Sequence, residues 1–192
     1  MALVLLASPV RAGQQDPDDC QQAVMNPDKA IADCAAVPQD PQGNIKNQVW
    51  AYDNRAMAYA RKLAAGYINR GNADNAKGDY DRAIKEYNDA LQLDPNVIDT
   101  YIDLADVYTK KGDYDRAIEE CNKAIQLDLS NNLRSVSGDP STTRAAAYNN
   151  RGDAYVGKGD KDKAIADYRK ALSINPSYQP AKDGLKKIGA PE

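Results

Sequence analysis

Apolar residues recur with the period of an α-helix in two kinds of segment that alternate along the chain. In residues 101–108 the apolar positions follow an i, i+3, i+4, i+7 pattern: Tyr101, Leu104, Ala105 and Tyr108. Residues 83–90 bring Ala83, Tyr87 and Ala90 to one face in a similar way. Because residues three and four positions apart lie on one side of an α-helix, both kinds of segment are predicted to be amphipathic helices.

A Gly-Asp pair separates the two helices and repeats together with its surroundings. The stretch GDYDRAI occurs identically at Gly78–Ile84 and Gly112–Ile118, 34 residues apart, and a looser copy lies at Gly159–Ile165. Glycine favours the C-terminus of one helix, and aspartate is a good N-cap for the next. Asp94-Pro95 and Asn175-Pro176 are expected to end the second helix of a pair. The sequence therefore predicts helix pairs that repeat about every 34 residues.

This pattern resembles the tetratricopeptide repeat (TPR) family. The resemblance rests on small or aromatic residues at packing positions, a turn glycine and a final proline. These residues are Gly71, Gly78, Ala83, Tyr87, Ala90 and Pro95 in one repeat, Ala105, Tyr108, Gly112, Ala117 and Ala124 in the next, and Gly152, Tyr155, Gly159, Ala164, Tyr168, Ala171 and Pro176 in the last. Asp74 and Cys121 depart from it where other repeats have tyrosine, and Leu129 replaces the final proline. Full repeats cover about residues 64–131 and 145–178.

The resemblance implies an all-α, TPR-like solenoid of antiparallel helix pairs wound into a right-handed superhelix. Stacking equal pairs buries apolar faces that a single pair cannot bury. The array is predicted to cover residues 47–178 and to begin with one long helix over about residues 47–77, with any kink near Gly66. The alternative is two helices broken at Lys62–Ala65. Residues 179–192 are expected to form a C-terminal capping helix and tail.

An insertion is predicted in the last part of the array. Gly112 and Gly159 are 47 residues apart rather than 34, and the excess falls in a polar stretch with a Gly-Asp-Pro turn signal. We expect a loop at residues 131–144. Such a loop is either tolerated surface or a binding element.

The N-terminal part is expected to hold a degenerate helix pair within residues 13–46, because Asn26–Val37 echoes the second helix of the last repeat. Residues 1–12 contain a short apolar run followed by small residues, which favours a signal peptide. The alternative is a chance apolar N-terminus on a cytoplasmic protein. Together, these features resemble exported bacterial TPR proteins with a cysteine pair in the first repeat. If the chain is exported to the periplasm or secreted, Cys20 and Cys34 are candidates for a disulfide.

The amino-acid composition limits the catalytic, metal-binding and nucleic-acid-binding functions that the chain could have. The chain of 192 residues contains no histidine, so it lacks the commonest general base and the commonest transition-metal ligand. Its net charge of −3 argues against nucleic-acid binding, and its apolar run is too short to span a bilayer. Cys121 lies in the packed stripe of a helix and is interpreted as a core thiol. We predict no catalytic residue, no cofactor and no metal site, which leaves a small enzyme as a distant hypothesis.

A binding surface remains as the best functional hypothesis. The resemblance implies that the first helix of each pair lines a concave groove, where this chain has carboxylates and amides: Asn69, Asn72, Asp99, Asp103, Asp106, Asn149, Asn150 and Asp153. Relatives that clamp acidic C-termini use Lys and Arg there, so that mode is rejected. The predicted partner is a protein or an extended peptide of basic or neutral character. The alternative is a scaffold subunit that uses its convex face, its ends or the 131–144 loop; the oligomeric state stays open.

Overall fold

A computed structural model describes residues 28–29, 31–32, 45–129 and 139–191. Seven helices have defined bounds in this part of the chain: α1 Ile45–Lys77, α2 Tyr80–Leu93, α3 Ile98–Lys111, α4 Tyr114–Leu129, α5 Pro140–Lys158, α6 Lys161–Ile174 and α7 Gln179–Lys187. The predicted all-α repeat fold is confirmed. The chain divides into two compact units, Met1–Lys62 and Leu63–Glu192. Cys20, Cys34 and the 1–12 segment lie outside the described residues.

Glycine turns join the two helices of each pair in the second unit. Gly112 and Gly159 end α3 and α5 with φ of 79° and 80°, a left-handed conformation that glycine adopts without a steric penalty. The aspartate after each glycine caps the next helix: Asp113 accepts the Arg116 N–H at 3.3 Å, and Asp160 accepts the Lys163 N–H at 3.2 Å. The pairs at Gly112 and Gly159 therefore have the turn and capping roles that the sequence predicts. Gly78 has the same positive φ, but Asp79 makes no side-chain capping hydrogen bond to α2, so the capping prediction is wrong for that pair.

Tyrosine rings on the second helices pack directly against glycines on the first helices. Tyr87 and Tyr168 are fully buried. A Cβ added at Gly71 would lie 2.6 Å from Cε1 of Tyr87, and one added at Gly152 would lie 2.7 Å from Cε1 of Tyr168. Since no real Cβ approaches a carbon atom so closely, glycine is required at both positions. The first and last full repeats thus use the same contact.

The long first helix is continuous. The structure extends α1 from Ile45 to Lys77 without a break at Lys62–Ala65, so the predicted single helix is observed and the two-helix alternative is not. At the other end of the array, α7 buries Leu185, and Ile188 packs against the same apolar cluster. Both residues make the apolar contacts expected of a capping helix.

The predicted end of the 131–144 loop is wrong. Residues 140–144 form the first turns of α5, because Asp139 is its N-cap and Pro140 is its first residue. The Asp139 carboxylate accepts the N–H groups of Ser141 at 3.1 Å and Thr142 at 3.2 Å. Proline fits this position because the first helical N–H has no intrahelical acceptor. The Gly-Asp-Pro signal therefore starts a helix, and residues 131–138 of the predicted loop lie outside the described residues.

In the first unit, the helical residues 28–29 and 31–32 contact α1. Lys62 donates to the Asp28 carboxylate at 2.5 Å, and Ile31 packs on the buried Ala58. The same ion pair recurs in the second unit between equivalent repeat positions, as Lys111 with Asp81 and Lys158 with Asp115. Lys111 and Lys158 end first helices, and Asp81 and Asp115 lie in the first turn of the preceding second helices. Lys62 occupies the equivalent repeat position within the continuous α1. This recurrence supports the interpretation of the segment around Asp28 as the second helix of a degenerate repeat.

Candidate functional site

The first helices of the three full repeats carry polar side chains at matching positions. We call this surface the first-helix face, and it consists of Asn69, Asn72 and Asn75 on α1, Asp99, Asp103, Asp106 and Lys110 on α3, and Asn150 and Asp153 on α5. Asn69, Asp103 and Asn150 occupy one repeat position. Asn72, Asp106 and Asp153 occupy the position three residues later.

Hydrogen bonds connect the three helices across this face. From α1, the Asn75 amide donates to the Asp106 carboxylate on α3 at 3.2 Å. The Lys110 ammonium donates to the Asp106 carboxylate at 2.7 Å and to the side-chain oxygen (Oδ1) of Asn75 at 3.2 Å. From α5, the Asn150 amide donates to the backbone carbonyl of Ile102 on α3 at 3.3 Å. The polar side chains of α1, α3 and α5 therefore form one connected surface.

Buried tyrosines donate hydrogen bonds to two of the polar side chains of the first-helix face. The hydroxyl of Tyr87 donates to Asn72 at 2.6 Å, and the hydroxyl of Tyr168 donates to Asp153 at 2.6 Å. The middle repeat has Cys121 in place of the tyrosine, so no such hydroxyl reaches Asp106 there. The carboxylate of Asp106 instead accepts its bonds from Asn75 and Lys110. The carboxylate at the centre of the face is thus bonded by residues of the face itself, whereas Asn72 and Asp153 are bonded by a buried tyrosine.

The carboxylates of α3 form an electrostatically unfavourable group. Burial, together with the neighbouring charges of Asp99 and Asp106, raises the pKa of Asp103 to about 7, while the charge of Lys110 opposes this shift. Burial also raises the pKa of Asp153 on α5. Among the described residues, no hydrogen-bond donor is placed on the Asp103 carboxylate. A cation that entered this group would relieve the repulsion among its carboxylates.

Asp103→Asn is expected to stabilise the protein most at alkaline pH. The pKa of Asp103 is higher in the folded than in the unfolded chain, so ionisation opposes folding and stability falls as pH rises from about 4 to 7. The amide removes that penalty, and we expect a gain of about 2 kcal/mol in the free energy of unfolding at pH 8. Urea denaturation of both proteins at pH 4 and pH 8 measures this. An equal effect at both pH values would contradict the assignment.

The placement of Asn149 differs from the expectation. The structure buries it to 5% exposure, where its amide donates to Asp153 at 3.0 Å and to Asn150 at 3.4 Å. The wider apolar stripe of α5 includes this position, so Asn149 orients Asp153 and is not itself exposed to a partner. The other predicted residues lie on the first-helix face. Asn75 and Lys110 were missed, although the i, i+4 spacing of Lys110 from Asp106 is a recognisable pairing signal.

The described residues offer little reactive chemistry. Burial raises the pKa of the Cys121 thiol to about 12, so it stays protonated and is a poor nucleophile at neutral pH. The described ranges contain no group of three or more acidic or cysteine side chains arranged to hold a metal ion. None of the helices within those ranges is long and apolar enough to cross a bilayer.

Comparison with known proteins agrees with the fold. Family models of the tetratricopeptide repeat match residues 98–131 and 145–178, and a TPR repeat model matches residues 71–112. The Arabidopsis OM64 TPR domain is 23% identical with a TM-score of 0.56, covering 67% of this chain and 96% of that one. The first TPR of Spaghetti (RPAP3), bound to the HSP90 peptide SRMEEVD, is 26% identical with a TM-score of 0.56, covering 67% and 92%.

A third similar structure is the second TPR domain of human RPAP3 in complex with the HSP70 peptide SGPTIEEVD. It is 26% identical with a TM-score of 0.56, and the match covers 69% of this chain and 99% of that domain. A search of curated protein sequences gives no match.

Proposed function

Because this chain belongs to the tetratricopeptide repeat family, we propose that it is a non-catalytic adaptor that binds an extended segment of another protein on its first-helix face. We further propose that the first helices line a concave groove and that the partner binds in this groove. Similar TPR domains bind peptides of HSP90 and HSP70, which supports binding of a peptide or protein here. The protonated thiol of Cys121 also favours binding over catalysis.

The observation that carries the proposal is the charge pattern of the face. Asp99, Asp103 and Asp106 lie on one helix, and amide side chains flank them on both neighbouring helices. Amides can bond to the backbone of an extended peptide, while partly desolvated carboxylates attract a cation. We therefore propose that the bound segment is extended and carries lysine or arginine opposite α3.

This chemistry differs from that of the peptides bound by the similar structures. SRMEEVD and SGPTIEEVD each end in two glutamates, a valine and an aspartate. An acidic sequence would bring like charges onto the α3 carboxylates, which costs binding energy. Lys110 is the one cation of the first-helix face as defined, and it is already bonded to Asp106 and Asn75. We thus expect a different specificity from that of the HSP90-binding and HSP70-binding domains.

Selection from a random peptide library tests the proposal. We expect wild-type protein to enrich peptides with Lys or Arg at one or two fixed positions, and to bind SRMEEVD at least about tenfold more weakly than the best selected peptide. The triple variant Asp99→Asn, Asp103→Asn, Asp106→Asn should lose at least about tenfold in affinity for the selected peptide. Binding by the wild type should weaken with added salt, because the attraction is between partly exposed charges.

A matched control removes the same charges elsewhere. Asp81, Asp115 and Asp162 begin the second helices, outside the first-helix face, and their replacement by asparagine changes the net charge by the same amount. This control should bind the selected peptide like the wild type. If both triple variants bind equally well, the face is not the binding site. The scaffold alternative, through the convex face, the ends or the 131–144 loop, would then take precedence.

Export and the Cys20–Cys34 disulfide stay predictions, because the residues concerned lie outside the described part of the chain. Neither is required for peptide binding on the first-helix face. If the chain is exported, the partner would be another exported protein, and mass spectrometry of non-reduced protein would show the disulfide.

A further inference from the structure

The N-terminal half of α1 has the sequence of a first helix. Residues 51–60 match residues 147–156 of α5 at six of ten positions, including Tyr52, Arg55 and Tyr59. In α5 these positions correspond to Tyr148, Arg151 and Tyr155. The following second helix is absent, however, because α1 continues directly into the first helix of the next repeat.

In the first and last full repeats, a second helix covers this face through two contacts. One is the tyrosine ring packed on a glycine, as described for Tyr168 and Gly152. The other is an ion pair between the arginine before that glycine and the carboxylate before that tyrosine. Arg151 binds both oxygens of Asp167 at 2.8 Å, and Arg70 binds Glu86 at 2.8 Å. An acidic residue followed by tyrosine is thus what the second helix supplies.

Within the described residues, the N-terminal half of α1 makes neither of these contacts. Ala56, at the position of the packing glycine, is exposed, and the rings of Tyr52 and Tyr59 are 50% and 55% exposed. The guanidinium of Arg55 lies 5.0 Å from the centroid of the Tyr52 ring, as the corresponding arginines lie over their own tyrosines. Among the described residues, no carboxylate is paired with Arg55.

The helical segment around Asp28 does not fill this position. Its ion pair with Lys62 is the one that a preceding second helix makes with the next first helix, as Asp115 makes with Lys158. Its Ile31 packs on Ala58, which is buried, whereas Ala56 is exposed. The segment therefore covers the side of α1 that faces the preceding repeat. Within the described part of the chain, no helix covers the side that would face the repeat's own second helix.

We propose that the face formed by Tyr52, Arg55, Ala56 and Tyr59 binds an amphipathic helix of a partner protein, which completes the repeat in trans. The partner helix carries an Asp or Glu directly followed by an apolar residue smaller than tyrosine, because Ala56 presents the Cβ that a tyrosine ring would meet. The middle repeat has the same alanine, Ala105, together with Cys121 in place of the tyrosine. The apolar side chain of the partner helix packs over Ala56 between the two tyrosines, and the carboxylate of that helix pairs with Arg55. Docking would bury apolar rings that are half exposed in the free chain.

The chain itself supplies the probe for a test. A labelled peptide of residues 161–176 (KDKAIADYRKALSINP) with Tyr168→Val keeps the Asp167 carboxylate of a natural second helix and places a smaller apolar residue over Ala56. We expect wild-type protein to bind it in fluorescence anisotropy, and we expect Arg55→Glu to weaken binding about tenfold or more. A peptide with Asp167→Lys should bind the Arg55→Glu protein better than the wild type, because the pair is restored with reversed charges. Lys77→Glu, outside the face on the same helix, is the matched control and should bind like the wild type.

Two results would overturn the proposal. One is absence of peptide binding to wild-type protein up to about 1 mM, or binding that Arg55→Glu does not alter and that the reversed peptide does not rescue. The other is a dimer of the wild-type protein in analytical ultracentrifugation that Ala56→Glu dissociates, since a second copy would then occupy the face. Circular dichroism of each variant verifies that the helices are retained.

Discussion

Replacing Tyr168 with alanine is expected to destabilise the protein by about 3–5 kcal/mol, the largest effect of any single truncation proposed for this chain. Its ring is 1% exposed and packs against the backbone at both Gly152 and Gly184. The substitution therefore leaves a cavity between α5, α6 and α7, which the glycines cannot fill because they have no side chains. It also removes the hydroxyl that donates to Asp153. Urea denaturation followed by circular dichroism measures the loss.

One further variant separates the ring from the hydroxyl of Tyr168, and a second serves as a control for truncating a tyrosine. Tyr168→Phe keeps the ring and removes only the bond to Asp153, so we expect a loss of about 1 kcal/mol. Tyr155→Ala truncates a half-buried tyrosine of the same apolar cluster and should cost less than Tyr168→Ala. If Tyr168→Ala cost no more than Tyr168→Phe, the ring would not be a packing centre of the last repeat.

Much of the fold could be predicted from the sequence because the same local signals recur in each repeat. Gly78, Gly112 and Gly159 all have the positive φ that a turn glycine adopts. The loop boundary was wrong because Asp139-Pro140 has two possible roles. An Asp-Pro pair ends a helix at Asp94 but starts one at Asp139. Only the tertiary contacts of the following residues distinguish these roles, and those contacts do not appear in a local pattern.

The candidate site was predictable in part. The α3 aspartates are visible in sequence because they are polar positions beside an apolar stripe. The burial of Asn149 was not visible, because it depends on how far α5 is covered by its neighbours. The bond from Asn75 to Asp106 joins residues 31 positions apart, and no local spacing indicates it. Contacts between repeats therefore decide which polar residues of a first helix remain accessible.

The middle repeat differs from the outer repeats at two packed positions. These two differences explain why Asp106 has other hydrogen-bond partners than Asn72 and Asp153. Where the outer repeats have glycine and tyrosine, this repeat has Ala105 and Cys121, and both are fully buried. The alanine adds a Cβ at the position where the outer repeats tolerate none, and the smaller thiol leaves room for it. The two residues therefore compensate each other in volume. A consequence is that Asp106 receives no tyrosine hydroxyl.

Cys121→Tyr is expected to destabilise the protein by about 3 kcal/mol, because the new ring would meet the Cβ of Ala105 in a packed core. Adding Ala105→Gly should recover most of the loss, since it recreates the glycine–tyrosine contact of the outer repeats. Ala105→Gly alone should cost about 1 kcal/mol, as glycine weakens a helix interior and leaves a small void. Denaturation of the wild type, both single variants and the double variant gives the coupling energy, which we expect to favour the double variant by about 2 kcal/mol.

Peptide binding by the double variant tests whether this packing difference affects the first-helix face. Its tyrosine hydroxyl should donate to Asp106, as the hydroxyl of Tyr168 donates to Asp153, and the bond would stabilise the carboxylate and reduce its attraction for a peptide cation. We expect the double variant to fold stably and yet to bind the selected basic peptide more weakly than the wild type. Additive destabilisation by the two substitutions would contradict the proposed compensation. Unchanged peptide affinity in a stable double variant would instead show that Asp106 is not a main contact, and would assign the attraction to Asp99 and Asp103.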